Sequence, residues 1–554
     1  MPFANGIPDN QEKGMPKKTI ERLHPTTLTV GATLQKLPLL RLAVMLILGL
    51  IVGYALHAIV ATQIWLIATA TTFLSSVILY RHAVAQSIFI LLCTFFLGAF
   101  LLDNQFETIE KRIPEGFVEY EGVIISEPID RPKTVRCDIL ITSMCVPTDS
   151  GAIDTIVISH GMKARAYFEK DEYSQRLSVG EGFKASSAFT SASLHSRSLY
   201  FNDFDYGRYL VINGFSATTF ISADYWQGAT VSLSNLSIIQ RTKIKAMQLR
   251  AQLLQRYSQS GIDGQELAVL SALTLGDKSL LTAETRDDYS QSGASHILAL
   301  SGLHLTIIYA ILTLLAGRLR RKLVVVVLTT LSIWAFVFIS GMSSSVTRAA
   351  IMLTMYAFCD MLNRGRPSLN TLSFAAITIL VADPLALYNV GFELSFMAML
   401  SIGMFYRPFM SCLSPTLLRL WLVRAVLSMT VVSLAAQIGT APLVAFYFGR
   451  LPLYSLITNI IVVVGATVVL YGAVFFFIST PLTALQDIIA DGLSHVLRWM
   501  NTAVAHIASL PGNGVLDFQP SQLQVLMVYL VIFAAYRTAS VLHRVYTYGR
   551  QIGS

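Results

Sequence analysis

Runs of about twenty apolar residues, separated by short polar connections, recur along most of this 554-residue chain. Most are long enough to cross the roughly 30 Å hydrocarbon core of a bilayer as a helix. They fall near 39–60, 61–80, 84–102, 294–316, 322–340, 345–362, 369–382, 390–406, 425–447, 453–480 and 522–540. In lipid every backbone N–H and C=O must find a partner inside the protein, so a chain of this kind is confined to a helical bundle. Its composition, 54% hydrophobic and 13% charged, carries about half the charge of an average soluble domain. The expected fold class is a polytopic α-helical membrane protein of ten or eleven spans.

Basic residues favour the cytoplasmic side and so orient the spans. Residues 1–37 lack a cleavable-signal pattern and carry Lys17, Lys18, Arg22 and Lys36, which makes them a cytoplasmic tail. Three spans over 38–102, with Arg81 and His82 at the inside turn between the second and third, then deliver residue 103 to the outer side. The loops Gly317-Arg-Leu-Arg-Arg-Lys322 and Asn363-Arg-Gly-Arg366 agree with that count. Near the C-terminus the count strains. One crossing at 453–480 and a non-crossing amphipathic helix at 483–509 put Arg537, Arg544 and Arg550 outside. Either 453–480 crosses twice or a segment is re-entrant.

From 103 to 228 short β-rich runs such as Phe117-Val-Glu-Tyr-Glu-Gly-Val-Ile-Ile125 alternate with Pro, Gly and Asp turns. Some five strands in that length suit a small β-barrel outside the cytoplasm. Cys137 and Cys145 form the one plausible disulfide pair. Eight extended steps span roughly 26 Å, against about 5.5 Å between bridged Cα atoms, so a bridge needs a turn between them. Residues 229–292 read as amphipathic helices at the membrane surface. Ile238, Ile239, Ile244, Met247, Leu249, Leu253 and Leu254 oppose Arg241, Lys243, Lys245, Arg250 and Arg256. That basic face either lies at the lipid headgroups or contacts phosphates of lipid or nucleic acid. Residues 293–541 form the main helical domain and 542–554 a tail.

The loops hold no phosphate-binding loop, no metalloprotease helix and no nucleophile elbow, and no metal or cofactor is expected. Polar residues inside spans are costly and tend to face a bundle interior or a watery cavity. Here they are His296, Ser301, Gly302 and His304 on a helix expected over 294–316, then Arg348, Glu393, Gln437 and Asn459 on later spans. The count places His296, Arg348 and Glu393 at one depth, as at a pore mouth. Alternatively Arg348 and Glu393 neutralise each other, and the histidines are packing groups. Ser301 and His304 share a helix face but lack a third orienting group, which argues against a hydrolase.

Five stretches in order resemble the ComEC-type competence protein family. They are Ala272-Leu-Thr-Leu-Gly-Asp-Lys-Ser279, Gly293-Ala-Ser-His-Ile-Leu-Ala-Leu-Ser-Gly-Leu-His304, Ser345-Val-Thr-Arg-Ala-Ala-Ile-Met352, Asp383–Phe396 and Ser433–Pro442. The resemblance implies an OB-like periplasmic domain, a helical domain enclosing a path for single-stranded DNA, and an inner-membrane location. It points to Asp277, His296, Ser301, Gly302, His304, Arg348, Glu393, Ser395, Gln437 and Asn459. On the β domain, Lys133, Arg136, Lys163 and Arg165 are expected to meet phosphates, and Tyr167, Phe168 and Tyr225 to stack bases. Many family members carry a C-terminal metallo-β-lactamase-like domain. This sequence lacks its metal-binding pattern, so the nuclease, a DNA receptor and a cytoplasmic motor are expected as separate partners, with lipid as the solvent. A proton- or ion-coupled small-molecule transporter and a decayed family member are the alternatives.

Overall fold

The computed structural model describes residues 37–110, 116–147, 153–192, 205–231, 236–316, 322–361, 369–511 and 519–552. The N-terminal tail and the two basic loops at 317–321 and 363–366 lie outside them.

Three helices open the chain: α1 (Pro38–Leu56), α2 (Thr62–Ile78) and α3 (Ala83–Glu110). Small residues let α1 and α3 touch backbone to backbone: a Cβ on Gly49 would fall 1.9 Å from the Phe95 carbonyl oxygen, and one on Gly98 2.5 Å from that of Leu46. Membrane helices associate through such close packing, because lipid gives them no hydrophobic drive to do so. Asp103, 1% exposed, ties the adjoining ends of α1, α2 and α3 together. It accepts a 2.5 Å hydrogen bond from Thr62 Oγ1 and pairs with His57 Nδ1.

The segment that follows is a closed five-stranded barrel. Its elements are β1 (Phe117–Ile124), β2 (Ile129–Asp130), β3 (Thr134–Pro147), β4 (Ile153–Glu169), β5 (Gly182–Ser191), α4 (Tyr206–Ile212), β6 (Ala217–Ile221) and β7 (Trp226–Gly228). The order β1-β3-β4-β6-β5 closes through a β1–β5 pairing. Only β4 and β6 run parallel, with α4 in the crossover between β5 and β6. Alternation sets the two faces. Val135, Cys137, Ile139 and Ile141 of β3 point into the core, as do Met162, Ala164, Ala166 and Phe168 of β4. A buried chain from Tyr120 Oη through Ser187 Oγ (2.7 Å) to Thr219 Oγ1 (2.6 Å) satisfies the polar atoms inside.

This alternation corrects two expectations. Phe168 has no exposed surface and cannot stack a base. Cys137 and Cys145 share β3, but a bulge between Ile141 and Ser143 shifts the alternation. Cys137 therefore points into the core and Cys145 outward, and both remain thiols.

The helical domain comprises α5 (Ile238–Gln259), α6 (Gly264–Thr274), α7 (Ala283–Gln291), α8 (Ser295–Leu298), α9 (Gly302–Ala316), α10 (Lys322–Ile339), α11 (Ser344–Met361), α12 (Leu369–Ala382), α13 (Val390–Ser411), α14 (Trp421–Phe448), α15 (Ser455–Ile478), α16 (Thr483–Ala508) and α17 (Gln522–Ile552). Helices thus occupy all the expected apolar segments. Among the described residues α1, α3, α14, α15 and α17 are both long and apolar enough to cross a membrane; α2, α9, α10 and α12 are apolar but shorter. Short or broken helices are tolerated at membrane depth where protein covers their ends.

Four expectations over this domain change. Of residues 229–292, α5 is amphipathic, but Ala268–Thr274 of α6 are all buried, packed with α15 and α16 in one core cluster. On α5 the buried line is Ile244, Met247, Arg250 and Tyr257, while Ile238 and Ile239 are 81% and 59% exposed. The helix expected over 294–316 is two helices, interrupted at Ala299–Ser301. Finally, 453–480 holds a single helix, so it does not cross twice.

α16 is placed by its contacts with α15. It lies antiparallel along α15, with Gly472 against Leu493 and Gly465 against Met500. Tyr454 Oη donates to the Pro511 carbonyl at 3.1 Å, so the end of α16 returns to the start of α15. α17 then runs back beside α14, where Tyr529 Oη bonds the Gly439 carbonyl at 2.7 Å. Further along, Tyr536 meets Phe405 of α13 at 5.3 Å. α17 thus runs toward the α13–α14 connection.

Candidate functional site

On the barrel, strand register assembles an outward row from three strands. Arg136 of β3 pairs with Tyr167 of β4, and Tyr167 pairs with Phe220 of β6. Directly paired residues share a face, so guanidinium, phenol and phenyl stand side by side. Phe220 is 56% exposed. Tyr167 Oη bonds Tyr206 Oη of α4 at 2.7 Å, and Tyr206 stacks on Tyr209 with centroids 6.1 Å apart. The sequence reading missed Phe220 and Tyr206. Outward alternation in Ala217–Ile221 could have flagged Phe220, but the parallel pairing that brings it beside Tyr167 has no local signal.

The next row, Asp138–Arg165–Thr218, is occupied by protein contacts. Arg165 is 7% exposed and bonds Asp138 Oδ1 through Nε at 2.9 Å. Lys163 donates to the Asn213 carbonyl at 3.0 Å and sits 3.9 Å from the Phe215 ring centre. Arg165 is thus engaged with the protein, and Lys163 is turned toward Asn213 and Phe215 rather than presented on the outer row beside Tyr167. Lys133 is exposed. Tyr225, 57% exposed, lies edge-on to Phe117 at 6.5 Å.

Where the barrel meets the helices there is a cleft of about 680 Å³. Arg136, Asp138 and Arg165 line it from the barrel and Glu127 from the loop after β1. Arg250 of α5, Asp277, Lys278, Arg286 and Asp287 line its other side, and it reaches Ser295 and Leu298 of α8. Arg250 is 5% exposed and is held by Glu127 at 3.1 Å, which removes it from the free basic face expected on α5. Burial, then the nearby Arg286 charge, draws the Lys278 ammonium below the ordinary lysine range. Asp277 shapes the wall: its Oδ1 accepts from Ser279 N at 2.9 Å. Gly276 before it has φ +76°, and a Cβ there would lie 2.6 Å from Leu300 and 3.2 Å from the Ser340 carbonyl. The Gly276-Asp277 turn is therefore locked against the break between α8 and α9.

At that break, Ser301 precedes the first residue of α9 and His304 stands at its third position. His304 Nδ1 accepts from Ser301 N at 3.1 Å and lies 3.0 Å from Ser301 Oγ. This is one half of a capping box, the third-position side chain reaching back to the N–H of the residue before the helix, while His304 N itself donates to the Ser301 carbonyl at 3.1 Å. A new helix start needs such a cap, and the Ser-Gly-Leu-His spacing supplies it. His304 has no exposed surface, and its Nε2 is buried without a partner. The Ser–His contact exists, but the pair is a helix cap closed to solvent rather than a nucleophile facing water. Gly302 sits beside Ala349 of α11, where a Cβ would lie 3.5 Å from the alanine methyl.

Arg348 and Glu393 do not pair. Arg348, 4% exposed, donates through Nη2 to the Gly391 carbonyl at 2.8 Å and through Nη1 to Ser344 Oγ. Glu393 accepts from Tyr447 Oη at 2.9 Å, with Ser395 half-buried two residues on. Gln437 Nε2 donates to Ser455 Oγ at 2.7 Å and Asn459 Nδ2 to Ser433 Oγ at 3.4 Å, two rungs between α14 and α15. Gly293 closes on the same place, where a Cβ would lie 2.6 Å from that of Ser455. His296 is exposed, with Nδ1 3.2 Å from the Gly293 carbonyl. The single ring expected of His296, Arg348 and Glu393 is thus two clusters. One joins the His296 segment to Gln437 and Asn459; the other joins Arg348 to the α13 start and Glu393 to Tyr447. They meet on α14, where Gln437 and Tyr447 are about 15 Å apart along the helix. Among the described residues no group of three or more His, Cys, Asp or Glu is placed to hold a metal.

These features define a polytopic helical membrane domain preceded by three helices and a closed barrel, with a charged cleft where barrel and helices meet. Residues 273–540 match the model of the Competence protein family. The chain is 25% identical to "ComE operon protein 3" of Bacillus subtilis over 59% of its own length and 40% of the relative's. It is 27% identical to "Competence protein ComA" of Neisseria gonorrhoeae over 26% of its length and 23% of that protein. An uncharacterized protein of Aquifex aeolicus is 28% identical over 38% of the chain and 48% of its own length. The chain thus matches less than half of the length of each of these relatives. No solved structure matches.

Proposed function

We propose that this chain is an inner-membrane channel for single-stranded DNA in natural transformation, indifferent to sequence and without a nuclease or ATPase of its own. The observation that carries this reading is the Arg136–Tyr167–Phe220 row together with the cleft that Arg136 shares with Ser295 and Leu298. A cation beside two aromatic faces suits a phosphodiester backbone with unstacked bases, each stack being worth about 1–3 kcal/mol. The barrel lies on the periplasmic side, since the basic residues of the turns favour the opposite face. The DNA leaves the row along the cleft, passing Lys278 and Arg286, and meets the membrane at the α8–α9 break. His304 is fully buried there, so passage requires α9 to part from its neighbours, and the described arrangement is a closed one. Glu393, bonded to Tyr447, serves structure rather than the polyanion. Transport draws on a separate motor, and a periplasmic receptor and a separate nuclease supply the single strand.

The test is uptake of labelled DNA by cells lacking this protein, with variants reintroduced. Arg136→Gln/Tyr167→Ala/Phe220→Ala is expected to lower uptake at least tenfold at unchanged membrane abundance. Normal uptake in the deletion strain would sink the reading.

A further inference from the structure

A second pocket, of about 340 Å³, lies where α3, the barrel and α5 meet. Lys163 of β4 and Lys243 of α5 line it together with Gln105 and Thr108 of α3, and no carboxylate is among its lining residues. Two half-buried ammonium groups facing one cavity without a lining anion repel each other and lose hydration. Asp138 attracts both from outside the lining, and Asp383, bonded to Gln105 at 3.2 Å, also attracts Lys163; burial still draws both lysines below the ordinary lysine range, Lys163 to about 8. Lys243 has no ion-pair partner among the described residues. The pocket is built for an anion.

Its depth says where that anion comes from. The apolar run of α3 ends at Leu102, so Gln105 and Thr108 stand about 4.5 to 9 Å further along the axis. Gln105 thus stands in the headgroup layer, which extends about 5–7 Å beyond the hydrocarbon on each side, and Thr108 at its outer edge. Ile238 and Ile239, one turn before Lys243, are 81% and 59% exposed and offer an apolar foot beside the pocket. A lysine-lined cavity with exposed isoleucines at its rim matches a lipid, whose phosphate and acyl chains need one of each.

We propose that the Lys163–Lys243 pocket binds a phosphate at headgroup depth, the phosphodiester of an anionic phospholipid, and so fixes the barrel to α3 and α5 at the membrane surface. The full chain is purified, and phosphatidylglycerol bound to it is counted by native mass spectrometry. One tightly held phosphatidylglycerol is expected. Lys163→Gln/Lys243→Gln should weaken it about 30-fold, from the attraction of two basic groups at a membrane surface. Lys243→Gln alone should weaken it about 5-fold without touching the Lys163–Asn213 contact. Lys163→Arg/Lys243→Arg should restore it, and Arg136→Gln, outside the pocket, should leave it unchanged. Equal retention by the Lys243→Gln and wild-type proteins would overturn the proposal. Displacement by millimolar inorganic phosphate would overturn the lipid as source, and displacement by a single-stranded oligonucleotide would make the pocket part of the DNA surface instead.

Discussion

Tyr167 and Phe168 are neighbours in sequence with opposite duties, and the alternation of β4 separates them. Phe168→Ala empties a core position and is expected to destabilise the barrel by about 3–5 kcal/mol, read as a lower melting temperature. Phe220→Ala should leave melting nearly unchanged and weaken binding of a single-stranded oligonucleotide about 5- to 100-fold, one lost base stack. Lys163 gives a pH signature with a definite sign. Its folded-state pKa of about 8 is below the ordinary lysine value, so the unfolded chain binds more protons between about pH 8 and 10.5. Stability therefore rises with pH across that window. Burial, Lys243 and Arg165 depress the group, against Asp138 and Asp383. Lys163→Met should flatten the rise in melting temperature over that window, measured in detergent.

Helix contacts in this protein are made by glycines and by side chains bonded to backbone. Gly49→Ala drives a methyl against the Phe95 carbonyl and should separate α1 from α3, at about 1–3 kcal/mol of overpacking; faster proteolysis within 57–82 would report it. Arg348→Ala removes the donors to the Gly391 carbonyl and Ser344, joining α11 to the start of α13. Hydrogen bonds to charged groups contribute about 1.5–3 kcal/mol each, so lowered stability is expected along with lost DNA uptake. A Lys at 348 keeps the charge but loses the fork that reaches both acceptors, and should rescue poorly. The Ser301–His304 pair accompanies the break of the central segment: the imidazole takes the Ser301 N–H and the Ser301 carbonyl takes that of His304, so two backbone donors at the new helix start are met locally.

At the scale of the molecule, the barrel row and the cleft that reaches α8 share Arg136, so the proposed function makes DNA binding an electrostatic property of several elements. Oligonucleotide affinity should fall with salt, and Arg136→Gln should make the slope of log K against log salt shallower by about 0.7, one phosphate contact on single-stranded nucleic acid. An unchanged slope would mean that Arg136 meets no phosphate.

What the sequence by itself determined follows from local, periodic physics. Lengths of apolar runs set the helices, and β-rich runs between turn residues set the barrel strands, though not which of Tyr167 and Phe168 faces the core. The family's stretches identified the residues around which the polar clusters form. Only the tertiary structure decided how these residues meet. A bulge in β3 turned Cys145 away from Cys137, and parallel pairing of β4 with β6 brought Phe220 to Tyr167. Arg165 and Arg250, which read as free cations, were claimed by Asp138 and Glu127. Arg348 and Glu393 found backbone and tyrosine partners in place of each other. Such pairings depend on register and on the approach of segments distant in sequence, and burial then makes each charged group take the nearest partner that the fold supplies.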